Sequence, residues 1–169
     1  NVQKYIYGTG EEELEEVLGR ILMERKLTIA VAESCTGGLV SDKITNVSGS
    51  SNYFERGVVV YSNKSKMELL GLPEELIKAH GAVSKEVAEA MAAGIRRVAR
   101  TSIGLATTGI AGPTGGTPEK PVGLVWIGYS DRNATLALKF NFGDNRVRTK
   151  ERAAQAALEL VRRRVLKIE

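Results

Sequence analysis

The stretch Ala32-Glu33-Ser34-Cys35-Thr36-Gly37-Gly38-Leu39 brings together a serine, a thiol, a threonine and two glycines. An apolar run over 28–32 precedes it and reads as a buried strand. The amphipathic segment that follows, 39–47, reads as a helix. At a strand-to-helix junction, backbone N–H groups have no intrahelical partner and the helix dipole favours an anion. Ser34 in such a turn suits three roles: nucleophile, phosphate ligand or helix cap. Its partners elsewhere in the chain must choose among them.

Histidine chemistry is a poor fit. The lone histidine, His80, falls in a loop after a helix rather than at a strand end, so it reads as a capping or surface residue and not as the base of a Ser–His–Asp triad. Cys35 is small enough to be core, and reads as a buried thiol. A serine activated without histidine needs another base. A lysine serves when burial or neighbouring positive charge lowers its pKa toward neutrality, and a phenol between the two can relay the proton. The segment Tyr61-Ser62-Asn63-Lys64-Ser65-Lys66 offers a phenol and two lysines, and spacing alone does not choose between Lys64 and Lys66. A third polar loop, opening at Thr108 and rich in glycine from Gly109 to Gly116, suits a phosphate or amide cradle because glycine lets backbone N–H groups approach a ligand. It carries neither a P-loop nor a GxGxxG fingerprint.

The elements that must position these residues follow from periodicity. Leu14, Val17, Leu18, Ile21 and Leu22 mark one helix face over 11–26, acidic at its start and basic at its end. A β-branched run, 57–61, predicts a second buried strand. Short helices over 67–70 and from Pro73 to Gly81 follow, then a long helix capped by Ser84 and running to Arg100, whose Ala- and Gly-rich middle predicts close packing on a neighbour. Strands are expected over 103–107, 122–129 and 134–142, the last two as a hairpin, and a helix over 147–166. The order predicts a single three-layer α/β/α domain with a mixed sheet, mostly parallel, ending in an antiparallel hairpin. If the first three strands are parallel neighbours, Ser34, Tyr61, Lys66 and Thr108 meet beyond their carboxyl ends, where open α/β sheets bind ligands.

Bulk properties narrow the class. The 169 residues are 43% apolar with 18 glycines, which fits a loop-rich globular domain. One cysteine excludes an intramolecular disulfide and a multi-cysteine zinc site, and one histidine excludes a His-rich metal centre. The net charge of +4 is concentrated in Arg162-Arg163-Arg164, read as a solvated helix face rather than a nucleic-acid patch. No segment approaches a membrane span and no signal-peptide pattern is present, so a cytoplasmic location is expected. The small-residue helix faces suit a homodimer.

Four ordered segments resemble one family: AESCTGGLVSDKITNVSGSS, VVYSNKSK, HGAVSKEVAEAMA and TTGIAGPTGG with EKPVGLVWIG after it. Together they are similar to the C-terminal domain of the CinA family, a nicotinamide mononucleotide (NMN) amidohydrolase of bacterial pyridine-nucleotide salvage. The resemblance implies hydrolysis of NMN to nicotinate mononucleotide and ammonia, with no cofactor and no metal. Carried over motif by motif, it makes Ser34 the nucleophile, Tyr61 the proton relay and Lys66, not Lys64, the base. Thr36, Gly37, Gly38, Thr108 and Gly109 would bind substrate or its oxyanion. An arginine ahead of the last helix would also bind substrate; Arg146 and Arg148 compete, and Arg148 is favoured. Residues 1–10 resemble a linker, implying an excised domain, 11–169, whose N-terminal partner is a molybdopterin-binding-like domain. The alternative is a non-catalytic nucleotide-binding module associated with competence or the DNA damage response.

Overall fold

The computed structural model describes residues 10–168. The expected linker over 1–10 therefore lies outside the described residues, Gly10 apart. The first helix forms as α1 (Leu14–Glu24), where Glu13 and Glu16 make a reciprocal capping box. The expected basic residues fall just beyond its last turn, with Arg25 at the C-cap. Next come β1 (Ile29–Glu33), α2 (Leu39–Thr45) and β2 (Phe54–Val59). Three helices follow, α3 (Asn63–Leu70), α4 (Glu74–His80) and α5 (Lys85–Ala99), and then β3 (Ile103–Gly109), β4 (Leu124–Ser130), β5 (Thr135–Asn141) and α6 (Arg146–Leu166).

The strands form one sheet in the order β2-β1-β3-β4-β5. β1 runs parallel to both β2 and β3, while β4 is antiparallel to β3 and β5. One face carries α1, α2 and α6 over a core that includes Leu18, Val31, Leu105 and Leu158. The other carries α3, α4 and α5 over a core that includes Ala32, Leu70, Met91 and Ala106. This is the three-layer mixed architecture that the alternation of elements predicts.

Two sequence expectations fail. The β-branched run expected as a buried strand is the sheet edge: β2 is mostly exposed because only β1 flanks it. Hydrophobicity reports buried area, and an edge strand buries one side only. The Arg162–Arg164 run is not uniformly solvated either. Arg162 is buried, and its guanidinium forks onto Glu159 at 2.7 and 2.8 Å.

The consequence for function is at the carboxyl ends of the parallel strands. The chain leaves β1 toward β2 and leaves β3 toward β4, in opposite directions, so β1 and β3 flank a topological switch point. The close approach of α5 to the sheet depends on two glycines. A Cβ at Gly104 would lie 2.1 Å from the Ala92 carbonyl oxygen, and one at Gly128 would lie 2.1 Å from that of Ala88. A Gly128→Ala variant must push α5 outward, at a cost of about 2 kcal/mol or more. In a domain of this size that lowers Tm by about 5 °C or more by calorimetry; an unchanged Tm would contradict this seating.

Candidate active site

Glu33 ends β1 fully buried, and its carboxylate sets the shape of the turn that follows. One oxygen accepts from the Thr36 hydroxyl at 2.6 Å and from the amides of Gly38 and Val40 at 2.9 and 3.1 Å. The other accepts from the Ser41 amide and hydroxyl at 2.8 and 2.7 Å. The carboxylate is thus the anion at the α2 N-terminus, and it satisfies amides that no preceding helical carbonyl can reach. The Thr36 hydroxyl donates its hydrogen bond to Glu33, so its oxygen, 2.7 Å from Thr107 Oγ1, accepts from that hydroxyl in turn. Main-chain bonds complete the clamp. The Ser34 amide donates to Thr107 O, and the Val60 amide donates to Glu33 O, tying the ends of all three parallel strands together.

This arrangement removes Ser34 from capping duty. Gly38, in the left-handed region at φ 102°, is the N-cap residue, and Glu33 supplies the side-chain acceptor. Ser34 Oγ instead meets Lys66 Nζ at 3.2 Å. Lys66 enters from the first turn of α3, which Ser62 caps by accepting the Ser65 amide. Its side chain reaches back over the helix start, as helical side chains do.

The surroundings of Lys66 decide its chemistry. It is only 1% exposed. Nζ donates to Val60 O at 2.8 Å and to Tyr61 O at 3.1 Å. Carbonyls only accept, so those two N–H bonds persist in either protonation state. The third tetrahedral direction, toward Ser34 Oγ, holds a proton in the ammonium and a lone pair in the amine. Burial lowers the Lys66 pKa from the ordinary lysine value, and among the described residues no carboxylate pairs with it to restore the charge. The nearby Cys35 thiol stays protonated, because burial pushes its pKa up to about 12.

A cavity of about 200 Å³ opens on this pair, lined by Ser34, Cys35, Tyr61, Lys66, Thr108 and Gly109 among others. The structure therefore brings together the residues from three strand ends that the sequence expects to converge. Thr108 points its hydroxyl at Ala82 O, 2.8 Å away, and so fastens the loop between α4 and α5 to the cavity wall. Gly109 lies against β4, where a Cβ would meet Leu124 O at 2.6 Å. The Tyr61 phenol is not between serine and lysine. It is exposed at the cavity mouth, and its hydroxyl accepts from Arg146 Nη2 at 3.4 Å.

Several expected contributors sit elsewhere. Thr36 is buried in the Glu33 network, and Gly37 and Gly38 do not line the cavity, because the carboxylate already occupies the anion position that their turn creates. Arg146 lines the cavity, braced by Gly112 O at 2.8 Å, whereas Arg148 is exposed and outside it. Asn145 caps α6 and sets this phase, since the two arginines stand two residues apart on a helix and cannot share a face. Lys64 is solvent-exposed and pairs with Glu68, and His80 is a surface residue facing Glu86. Sequence reasoning missed Glu33. The available signal was a carboxylate closing an apolar strand just before a helix start.

Comparison with known proteins adds the family context. The profile for the CinA C-terminal domain matches residues 11–165. A CinA-like protein of Syntrophus aciditrophicus is 52% identical over 96% of this chain, and one of Kosmotoga olearia is 52% identical over 96%. The chain spans only 39% and 40% of those two relatives, respectively. Among solved structures, the competence/damage inducible protein CihA of Agrobacterium tumefaciens is 37% identical with a TM-score of 0.83, covering 91% of this chain and 97% of that one. A CinA superfamily protein of Klebsiella pneumoniae is 27% identical with a TM-score of 0.88, covering 94% and 99%.

Two outcomes follow from the geometry. Glu33→Ala leaves the donors of its network unsatisfied and should destabilise the fold by about 3 kcal/mol or more in urea unfolding; a loss under about 1 kcal/mol would remove Glu33 from its organising place. Native Cys35 should resist a thiol reagent at pH 8 and react promptly only after denaturation, given its burial and raised pKa.

Proposed function

The chain belongs to the CinA C-terminal domain family, and on that premise we propose that it hydrolyses the carboxamide of NMN, giving nicotinate mononucleotide and ammonia. One observation carries this reading: a buried lysine, without an ion-pair partner among the described residues, directs its variable third position at a serine hydroxyl 3.2 Å away. A capping or phosphate-binding serine has no need of such a partner.

In the reaction, neutral Lys66 takes the Ser34 proton while Oγ attacks the carboxamide carbon. The tetrahedral oxyanion falls to backbone N–H groups close to the nucleophile, the Cys35 amide first, because the helix amides beyond it are held by Glu33. As the C–N bond breaks, the Lys66 ammonium returns the proton and ammonia leaves. Water then gives a proton to Lys66 and its oxygen to the acyl carbon. The ester bond breaks, and Ser34 recovers its proton from Lys66. The cationic pyridinium ring makes the carbonyl electrophilic. Direct contact between Lys66 and Ser34 makes a phenol relay unnecessary, which leaves Tyr61 at the mouth to hold substrate with Arg146. The cavity accommodates the ring and carboxamide, and Arg146 receives the 5′-phosphate. The runner-up reading, a nucleotide-binding module without turnover, shares the binding step alone.

The test is ammonia release from NMN. Ser34→Ala and Lys66→Ala should each lower kcat by about 10²–10⁴, with NMN binding retained in Ser34→Ala. Binding without turnover in the unaltered protein would select the module reading instead. The pH profile has a definite sign. Catalysis needs the amine, so kcat/KM rises with pH through the Lys66 ionisation. Burial places that midpoint below the 10.5 of an ordinary lysine. A midpoint at or above 10.5 would exclude Lys66 as the base.

A further inference from the structure

The opposite end of the sheet holds a larger cavity, of about 600 Å³. It lies beyond the amino ends of β1 and β3, roughly 20 Å from Ser34 at about 3.3 Å per strand residue. Arg25, Arg96, Arg132, Arg164 and Lys167 line it, with Asp131 the one acidic residue among the described residues of the lining. We propose that this cavity is a second ligand site, one that binds the di- or triphosphate group of a small molecule.

Charge carries the argument. Asp131 offsets only one of the five positive charges, and its carboxylate is held in place by the Tyr129 hydroxyl, which donates to Oδ2 at 2.9 Å, and by the amides of Asn133 and Ala134, which donate to Oδ1 at 2.7 and 2.8 Å. Among the described residues, none of the five cations makes a salt bridge. Helix geometry accounts for part of the cluster. Arg25 caps α1, Arg96 sits in the last turn of α5, and Arg164 and Lys167 end α6. Cations favour helix C-termini, but three such ends supply only about one and a half negative charges. Among the described residues, a surplus of positive charge faces the cavity.

Two of the guanidinium groups are held in place before any ligand arrives. Arg25 Nη1 donates to Val165 O at 3.0 Å, and Arg96 Nε donates to Ser102 O at 3.1 Å, leaving further N–H groups on each for an anion. Arg164 lies over the Tyr129 ring, 5.8 Å from its centroid. Fixed, convergent donors around a concave space match a compact polyanion. The volume falls within the range of small-molecule sites. A nucleic-acid strand instead needs a groove that tracks its backbone.

The test is calorimetric titration with pyrophosphate and with ADP at low salt, using orthophosphate as reference. The expected result is one site per chain, at least tenfold tighter for pyrophosphate than for orthophosphate. Arg132→Glu and Lys167→Glu alter exposed residues and should keep the fold by circular dichroism. Each should weaken pyrophosphate binding at least tenfold, while Arg56→Glu, on the far edge strand, should change it less than twofold. The proposal is overturned by absence of saturable binding, or by equal loss in Arg56→Glu, which would mean diffuse attraction. It is also overturned if Arg146→Ala alone abolishes binding, which would place the anion beside Ser34. Tight binding of an oligonucleotide that pyrophosphate does not displace would overturn it too.

Discussion

A buried carboxylate organises this site without touching its cavity. Glu33 is surrounded by donors from one short segment, and among the described residues no cation forms a salt bridge with it. An unpaired buried charge is costly unless several hydrogen bonds hold it. Here the amino terminus of α2 provides them, together with the positive end of its dipole. The outcome is a turn with one conformation. Because the helix start is already occupied by an internal anion, the residue just before the turn is free of structural duty. That residue is Ser34.

The same constraint reaches Lys66 through the main chain. Glu33 O accepts the Val60 amide, which fixes the end of β2 against β1. The carbonyls of Val60 and Tyr61 then turn toward Nζ rather than into a further strand pair. An edge strand makes this possible, since beyond Val59 the chain owes no hydrogen bonds to a second neighbour. Burial and the first turn of α3 both disfavour a cation at Lys66, and two neutral carbonyls compensate only by hydrogen bonding. The fold therefore keeps a lysine buried beside a hydroxyl without the carboxylate that would hold its proton.

The architecture was legible because its signals are local. Alternating periods located the elements, Gly71, Pro73 and Ser84 marked helix ends, and three polar loops after apolar runs located the site. What escaped were properties of arrangement. The run Gly57-Val58-Val59-Val60 has the composition of a buried strand, yet strand order places it at the edge. Arg162 looks like its neighbours in sequence, but helix phase turns it inward onto Glu159. The glycines of the turn suggest a substrate anion, and the occupant is Glu33, the residue directly before Ser34 in the chain. Likewise, pattern alone left both Arg146 and Arg148 open, because the choice depends on the angle at which α6 starts.

The sheet is also electrically polar in a way that periodicity does not display. At the carboxyl ends of the parallel strands, the one lysine among the site's side chains has no countercharge paired with it among the described residues, and the Glu33 carboxylate is locked inside the α2 turn. At the amino ends, arginines from three helix termini converge on a single acid among the described lining, Asp131, which a tyrosine and two amides hold in place. Both ends withhold a counterion that the fold has the means to supply. Exposed pairs such as Lys64 with Glu68 and Lys78 with Glu74 show that ion pairing is used freely elsewhere on the surface. Among the described residues, both concave places thus carry unbalanced positive charge. In the first, the imbalance is relieved by losing a proton, which makes a base. In the second, arginine cannot lose its proton, so the imbalance is relieved only by taking up an anion.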